Sequence, residues 1–308
     1  AKVAPQVLWS LFSGRRIPLI VGWNLTYRCD RKCLFCGLSA AVGEELRTEQ
    51  ALTIIDRLAD AGTRVIVFSG GEPLIRDDLG DLLVRCKTYG ITTGITTNGD
   101  LVSRKIDQLR FLDNMKLSFE GPKIVHDRLR GEGSYDEVMN ACEIAKSRGI
   151  SVLLNSTLNR LNVSYIEQIL QTAETLNLKV KFQPISSAHT LGRDISDLLL
   201  DGKEMAETME KLRKLRKTSR AVANTDAGLA YMAGWPHPEP LPCLGGRLFL
   251  RLDPEGRSYF CTMQRNNFST DTILNVGVAR AMEGLQQENC DGCWCTSTLE
   301  LNLFLSKG

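Results

Sequence analysis

Ten cysteines are the residues of this 308-residue chain whose type and spacing say most about its chemistry. The first group has the spacing Cys29-x3-Cys33-x2-Cys36. Iron–sulfur clusters are held by cysteine thiolates. Three thiolates on one short loop would leave one iron of a 4Fe–4S cube without a protein ligand, and an open iron can hold a substrate or cofactor. The spacing therefore favours an iron–sulfur cluster with one open position.

A structural zinc site is the alternative interpretation of this loop, because three cysteines and one histidine form a known tetrahedral site. The fourth ligand would have to be His126, His189 or His237, the three histidines of the chain. We expect His126 to be a structural histidine rather than a catalyst.

The second group of cysteines lies near the end of the chain and comprises Cys243, Cys261, Cys290, Cys293 and Cys295. A module too small for a large apolar core gains folding free energy from a bound metal. A four-cysteine zinc ribbon is one interpretation of this group. An iron–sulfur cluster is the other. The remaining Cys86 and Cys142 fall on apolar helical stripes, which predicts that both are buried as small hydrophobic side chains.

The composition excludes several classes of protein. The chain is 43% hydrophobic and carries 38 basic against 36 acidic residues, so it can bury a core but offers no electrostatic case for a nucleic-acid partner. No apolar run approaches the roughly 20 residues of a transmembrane helix. The cysteine content is too low for a disulfide scaffold, which together with the absence of a secretory pattern predicts a cytoplasmic location.

Six short apolar or β-branched runs alternate with helical patterns and predict six strands. Strands that alternate with helices form parallel sheets with right-handed crossovers. The predicted fold class is therefore α/β, a partial (βα)6 TIM-like barrel. The predicted strands are Leu19–Leu25, Arg64–Phe68, Ile91–Thr96, Asn114–Phe119, Ser151–Thr157 and Lys179–Gln183.

Two pairs of residues predict how helices of the barrel begin. Ser134 with Glu137, and Ser164 with Glu167, each have the spacing of a capping box. A single charged helix, Lys203–Lys217, is predicted in the segment that follows the barrel.

The segment after that helix is rich in proline and predicts a linker, followed by a β-hairpin. Its strands would be Arg247–Leu252 and Arg257–Cys261. The sequence thus predicts four segments: an N-terminal segment (1–17), a barrel core (18–185), a helical linker (186–240) and a small C-terminal iron–sulfur module (241–308).

The first cysteine loop, with Phe35 just before its last cysteine, resembles the radical S-adenosylmethionine (SAM) superfamily. The run that begins at Gly70 resembles the GGEP segment of that family, which binds the methionine amino group of SAM. The run from Ser118 to Gly131 resembles the SLDG…HD…RG pattern of the subgroup with molybdopterin-precursor and peptide-maturation enzymes, with Glu120 where Asp is usual. The resemblance covers roughly residues 18–185.

This resemblance implies that Cys29, Cys33 and Cys36 bind a 4Fe–4S cluster whose fourth iron is chelated by SAM. The polar motifs all fall at the carboxyl ends of predicted strands, where barrels place their active sites. Asn155 and Thr157 interrupt the apolar run of the fifth strand and so need a polar partner, which bound SAM would supply. SAM contact has an alternative at two places. Residues 97–99 would form a plain turn, and the polar residues of the fifth strand would form hydrogen bonds with the neighbouring backbone. The expected cofactor-binding residues are Phe35, Gly70, Gly71, Glu72, Thr97, Asn98, Ser118, Asn155 and Thr157.

The spacing Cys243-x12-Gly256-x4-Cys261, followed by Cys290-x2-Cys293, resembles the twitch domain, a short form of the SPASM extension. That resemblance implies an auxiliary 4Fe–4S cluster bound by these four cysteines. Cys295 would either replace Cys293 or remain a free thiol. The expected cofactors are two 4Fe–4S clusters and SAM.

The resemblance implies that one electron cleaves SAM to methionine and a 5′-deoxyadenosyl radical, which takes a hydrogen atom from the substrate. A fully ligated auxiliary cluster would accept the electron left on the substrate, so we expect a net oxidation such as a peptide crosslink. The alternatives are dehydrogenation of a small alcohol or sugar, modification of a lipid, and a non-enzymatic zinc or iron–sulfur scaffold. A flavodoxin or ferredoxin would supply the electron.

Only about 18 residues precede the first strand, so the expected substrate is either a small molecule or a peptide recognised by the barrel or by a separate protein. Val7–Phe12 would lie on a membrane surface or pack beneath the barrel. Position in the chain makes five residues candidates for the wall of a substrate cavity: Gln183, His189, Arg193, Tyr231 and Trp235.

Overall fold

A computed structural model describes residues 14–185, 190, 192–264, 268–285, 290 and 292–305. The segment Val7–Phe12, expected either on a membrane surface or packed beneath the barrel, lies outside the described residues, as does His189. No described helix is long and apolar enough to cross a membrane.

One sheet of nine strands organises the described chain, in the order β6-β5-β4-β3-β2-β1-β7-β8-β9. Neighbouring strands from β6 through β1 to β7 pair in parallel. This confirms the partial (βα)6 barrel. The strands are β1 Ile20–Asn24, β2 Val65–Ser69, β3 Thr92–Thr97, β4 Asn114–Ser118, β5 Ser151–Leu158, β6 Lys179–Pro184, β7 Phe249–Leu252, β8 Arg257–Tyr259 and β9 Phe268–Thr272.

Amphipathic helices between the strands of the barrel cover the outer face of the sheet. In α1, for example, Ile54, Ile55 and Leu58 are fully buried at helical spacing. Cys86 and Cys142 are buried in α2 and α5, which confirms their predicted role as core residues. The helices are α1 Thr48–Asp60, α2 Leu79–Thr88, α3 Val102–Lys105, α4 Lys123–Arg130, α5 Ser134–Ser147, α6 Ile166–Thr175, α7 Gly202–Arg216, α8 Asp226–Met232, α9 Ile273–Glu283 and α10 Thr296–Leu305.

The capping box predicted at Ser134 is wrong. α5 begins after Gly133 and has no side-chain cap. The carboxylate of Asp127 occupies this helix start instead, since its Oδ1 accepts hydrogen bonds from the backbone N of Tyr135 at 2.8 Å and the hydroxyl of Ser134 at 3.2 Å. A tertiary contact from α4 has replaced the local cap.

The capping box predicted at Ser164 is wrong as well, because a 3-10 turn over Val163–Tyr165 precedes α6 and α6 has no side-chain cap. A capping box does begin α7. The side chain of Glu204 accepts a hydrogen bond from the backbone N of Asp201, and the side chain of Asp201 accepts one from the backbone N of Glu204, both at 2.8 Å. The segment between barrel and hairpin also contains α8, so the prediction of one helix there is wrong. α8 has seven residues, too few to show a clear helical period.

The predicted hairpin is confirmed, since β7 and β8 pair antiparallel with Arg251 opposite Tyr259. The hairpin is continuous with the barrel sheet, because β7 also pairs in parallel with β1, with Gly22 opposite Arg251. The hairpin, and with it Cys261 shortly after β8, is therefore joined to the barrel through β1.

Candidate functional site

The first cysteine group lies on the loop that leaves β1, at the carboxyl edge of the sheet. The backbone N of Cys36 donates to the carbonyl of Cys33 at 3.1 Å. The guanidinium of Arg193 donates to the carbonyl oxygens of the same two residues at 2.8 and 3.0 Å. Arg193 therefore fixes the loop backbone, a role that differs from its predicted place on a cavity wall.

A buried ion pair supports this loop from α4. Glu120 accepts hydrogen bonds at Oε1 from Nε and Nη2 of Arg130, at 3.0 and 2.6 Å. Nη1 of Arg130 lies 3.7 Å from Sγ of Cys33, and its guanidinium carbon lies 5.3 Å from the ring centre of Phe35. Burial raises the pKa of the Cys33 thiol, and the Arg130 cation opposes that rise. Glu120 thus holds a thiolate-stabilising cation against the cysteine loop.

His126 is buried in α4 and, in the described part of the chain, is not grouped with the cysteine loop as the zinc interpretation needs, although its Nε2 has no hydrogen-bond partner. Its Nδ1 accepts a hydrogen bond from the backbone N of Glu120 at 3.1 Å, and its ring packs against Phe119 and Tyr135. Burial lowers the pKa of His126 to about 3, so the ring is neutral. It is a structural histidine, as predicted, and His237 lines a different cavity. Neither of the two histidines that the structure describes is therefore grouped with the cysteine loop as a zinc ligand.

The Gly-Gly-Glu segment after β2 packs directly on the backbone of the cysteine loop. The backbone N of Gly71 donates to Thr26 O at 2.8 Å, and that of Glu72 donates to Arg28 O at 2.9 Å. A β-carbon on Gly71 would lie 2.1 Å from the Arg28 carbonyl oxygen, and Gly70 has a φ of +127°. The glycines are thus needed for contact between two loops of the protein, in addition to any contact with a ligand.

The carboxylate of Glu72 accepts three hydrogen bonds from within the protein. Oε1 accepts from Leu74 N at 3.0 Å and Thr97 Oγ1 at 2.8 Å, and Oε2 accepts from Asn98 N at 2.9 Å. Burial outweighs these donors and raises the pKa of Glu72 to about 7. Nδ2 of Asn98 donates in turn to Asp30 in the cysteine loop at 2.8 Å. Glu72, Thr97 and Asn98 therefore connect three loops at the sheet edge.

Polar side chains on β4 and β5 are buried at the same edge. Ser118, Asn155 and Thr157 are each no more than 7% exposed. Oδ1 of Asn155 and Oγ of Ser156 are buried without a hydrogen-bond partner. Leaving a buried polar atom unpaired costs about 1–3 kcal/mol. The Asn155 oxygen is therefore an acceptor that a ligand can satisfy, whereas the backbone N of Thr157 already donates to Glu120 at 2.8 Å.

A cavity of about 620 Å³ occupies the centre of the barrel. Parallel barrels are normally filled by bulky inward-facing side chains. Here Gly22 on β1 and Gly94 on β3 face inward and leave space. Gln183 lines this cavity, as predicted, and two cationic residues that the sequence analysis missed, Lys116 and Arg251, also line it. Burial and the neighbouring cations lower the pKa of Lys116 to about 8.

A second cavity, of about 520 Å³, is lined by Tyr231 and by the whole second cysteine group. The hydroxyl of Tyr231 accepts a hydrogen bond from the backbone N of Cys293 at 3.1 Å. Nδ2 of Asn302 lies 3.7 Å from Sγ of Cys243 and 3.8 Å from Sγ of Cys293. The predicted cavity residue Trp235 packs instead on the ring of Trp294. The cavity places the five thiols Cys243, Cys261, Cys290, Cys293 and Cys295 around one space.

Cys295 lies on the wall that the two cavities share. Its Sγ is 3.6 Å from Nη2 of Arg251. Although burial opposes the change, the cation of Arg251 and hydrogen bonds from Thr298 lower the pKa of Cys295. Burial raises the pKa of Cys293. The two thiols whose roles the sequence left open therefore lie in different electrostatic surroundings.

Among the described residues, no three His, Cys, Asp or Glu side chains converge closely enough to hold a metal ion as they stand. The ligand sets thus remain predictions that rest on the placement of the loops and on thiol chemistry.

Two of the residues that the sequence analysis missed could have been found from the sequence. Lys116 and Arg251 are each a charged residue inside a short buried strand, a pattern that indicates a functional side chain. Asn302 carried no such signal, since its place beside the cysteines depends on the packing of α10.

Comparison with known proteins gives a match between residues 23–173 and the sequence model of the Radical SAM superfamily. Fe-coproporphyrin III synthase from Methanosarcina barkeri is 36% identical over 171 residues, 53% of this chain and 42% of that protein. PqqA peptide cyclase from Granulibacter bethesdensis is 28% identical over 252 residues, 77% of this chain and 66% of that protein. The chain therefore spans less than two thirds of the length of either relative.

A similar fold occurs in the crystal structure of Streptococcus suis SuiB bound to the precursor peptide SuiA. The TM-score is 0.66 at 15% identity, over 97% of this chain and 68% of that chain. At this identity the likeness concerns the fold alone.

Proposed function

The chain belongs to the radical SAM superfamily, whose sequence model matches residues 23–173, and we propose that it oxidatively modifies a peptide bound in the barrel cavity. Membership implies SAM and a 4Fe–4S cluster as cofactors. When bound and reduced, the cluster supplies one electron that cleaves SAM to methionine and a 5′-deoxyadenosyl radical, which removes a hydrogen atom from the substrate.

The residues around the first cysteine loop would hold these cofactors and shield them from water. Cys29, Cys33 and Cys36 would ligate three irons, and Arg130 would stabilise the thiolate of Cys33. The unpaired Oδ1 of Asn155 would accept a hydrogen bond from SAM. A substrate that fills the barrel cavity would exclude water from the substrate radical.

The second cavity would hold an auxiliary 4Fe–4S cluster on Cys243, Cys261, Cys290 and Cys293. A cluster with four protein ligands has no open iron for substrate, so its task would be to accept the electron left on the substrate radical. The substrate would then lose one hydrogen atom to the radical, one electron to the auxiliary cluster and one proton to the solvent, a net loss of two hydrogen atoms.

The observation that carries this proposal is that the barrel cavity lies beside both cysteine groups. Leu38, two residues after Cys36, and Gly70 after β2 line it, and Cys295 lines both this cavity and the second one. A substrate in this space would lie between the two cysteine groups. A small carboxylate-bearing molecule such as a tetrapyrrole is the second candidate, supported by the name of the Methanosarcina barkeri relative.

Anaerobic reconstitution followed by iron and sulfide analysis tests the cofactors. We expect roughly eight irons per chain, as two 4Fe–4S cubes require, and formation of 5′-deoxyadenosine after reduction with SAM. The triple variant with Cys29, Cys33 and Cys36 replaced by Ala should lose cleavage, whereas the core variant Cys142→Ala should keep it. Zinc in both sites without cleavage would refute the proposal.

A second arm tests the substrate. Peptide and tetrapyrrole substrates are incubated with the reduced holoenzyme, and mass spectrometry detects loss of two hydrogen atoms. Loss from the peptide supports the proposal, and loss from the tetrapyrrole alone supports the second candidate.

A further inference from the structure

Two cationic side chains enter the barrel cavity from opposite sides, Lys116 on β4 and Arg251 on β7. The side chain of Arg251 packs directly on β1, where a β-carbon on Gly22 would be only 2.0 Å from its Nη1. Gly22 stands directly opposite Arg251 in the β1–β7 register. The glycine thus leaves the space that the guanidinium fills.

Neither cation has a carboxylate partner in the described part of the chain. The ion pairs there include neither Lys116 nor Arg251. Lys116 donates to the hydroxyl of Ser297 at 3.0 Å, and Arg251 donates to Sγ of Cys295 at 3.6 Å. A cavity that holds two cations without a carboxylate partner favours an anionic ligand.

The one carboxylate on the wall of this cavity among the described residues is already used. Glu300 lines the cavity, but its Oε1 accepts from the backbone N of Thr225 at 2.9 Å and its Oε2 from the hydroxyl of Thr225 at 2.6 Å. Both oxygens of Glu300 are thereby hydrogen-bonded at the start of α8. Glu300 therefore does not pair with Lys116 or Arg251, and both cations can bind a ligand.

The strand register separates these cations from the residues predicted to bind SAM. Ser118 pairs with Asn155, whereas Lys116 pairs with Leu153, one inward-facing position farther from the carboxyl edge of the sheet. Much of the remaining wall is apolar, as Ile95, Met115, Leu153, Phe249 and Leu301 show.

We propose that Lys116 and Arg251 bind an oxyanion of the substrate, a carboxylate or phosphate on a mainly apolar body. A guanidinium can bind such a group through two parallel hydrogen bonds, and the lysine adds a point charge. This inference rests on the proposed function, since it assigns the barrel cavity to the substrate. It makes Lys116 and Arg251 specificity-determining residues.

Isothermal titration calorimetry on reconstituted, unreduced holoenzyme saturated with SAM tests the proposal. The probes are octanoate, octyl phosphate and octylamine. We expect one of the two anions to bind at least about tenfold more tightly than the amine, and the tighter one identifies the oxyanion. Lys116→Met and Arg251→Met should each weaken the binding of that anion about tenfold or more, because each removes a charge-assisted hydrogen bond. Arg251→Lys should keep part of the affinity, and Lys203→Met, on the exposed side of α7, should change nothing.

Iron content of each variant is measured alongside, so that a lost cluster is not mistaken for a lost anion site. The proposal is overturned if neither anion binds more tightly than octylamine, or if both Met variants bind the anion as the unchanged protein does. Weaker binding of SAM itself to these variants also overturns it, because the cations would then serve the cofactor. The proposed function is tested separately, by whether the unchanged enzyme cleaves SAM. If it does, the proposed function is retained even when the anion site is refuted, and if it does not, the proposed function is refuted.

Discussion

Nη2 of Arg130 lies 2.6 Å from Oε1 of Glu120, and both side chains are buried. This pair explains why a Glu can stand in the run that resembles the SLDG…HD…RG pattern. The side chain of Glu120 reaches from the end of β4 to α4, and its carboxylate also accepts a hydrogen bond from the backbone N of Thr157 at 2.8 Å. The sequence left the role of Glu120 open, and the structure makes it the support of the cation beside Cys33.

Replacement of Glu120 by Gln should therefore destabilise the protein. Breaking a buried pair leaves an uncompensated charge and costs about 3–5 kcal/mol. Chemical denaturation measures this loss in the free energy of unfolding. The matched control is Asp107→Asn, which removes the carboxylate of an exposed pair with Arg148 and should cost less than about 1 kcal/mol. Equal losses in the two variants would contradict the role assigned to Glu120.

Replacement of Gly71 by Ala should disturb the cysteine loop. The new β-carbon would meet the carbonyl oxygen of Arg28 at 2.1 Å, so one of the two loops must move. Overpacking of this kind costs about 1–3 kcal/mol, and the displaced loop should also bind less iron. Gly94→Ala is the control, because its β-carbon would make only ordinary contacts, the nearest at 3.6 Å. Normal iron content and stability in Gly71→Ala would refute this reading of the glycine.

The raised pKa of Glu72 predicts a pH-dependent stability. Burial raises the pKa from 4.5 to about 7 in the folded state, so the folded protein binds a proton more readily than the unfolded chain does. The contribution to stability is present below about pH 4.5 and is lost as the pH rises to 7, by roughly 3 kcal/mol. Denaturation curves between these pH values measure it. Glu72→Gln should remove this part of the slope, and an unchanged slope in the variant would contradict the prediction.

Sequence patterns located the barrel strands well because each strand is a short apolar or β-branched run. β4, for example, begins at Asn114 in both the prediction and the structure. Asn155 was identified because a polar residue in an apolar strand needs a partner. The prediction of a capping box at Ser134 failed because the carboxylate of Asp127, a tertiary contact from α4, binds this helix start instead. The position of Arg251 opposite Gly22 depends on β7 joining β1, and no local pattern reports a pairing between segments so distant in the chain.

Iron analysis of two single variants should identify the free thiol of the second cysteine group. Sγ of Cys293 lies within reach of Asn302, which also contacts Cys243, whereas Sγ of Cys295 lies beside Arg251 on the wall of the barrel cavity. Cys293→Ala should therefore lose about four irons, the content of one 4Fe–4S cube, and keep SAM cleavage at the first loop.

Cys295→Ala should keep both clusters and cleave SAM normally. Its effect should appear in substrate turnover, because the thiol borders the cavity assigned to the substrate. Cys142→Ala, a core substitution, controls for the loss of any one thiol. If Cys295→Ala loses about four irons while Cys293→Ala keeps them, Cys295 is the fourth ligand and Cys293 the free thiol. Arg251 would then donate a hydrogen bond to a cluster-bound sulfur, which raises the reduction potential of the cluster and favours electron transfer from the substrate.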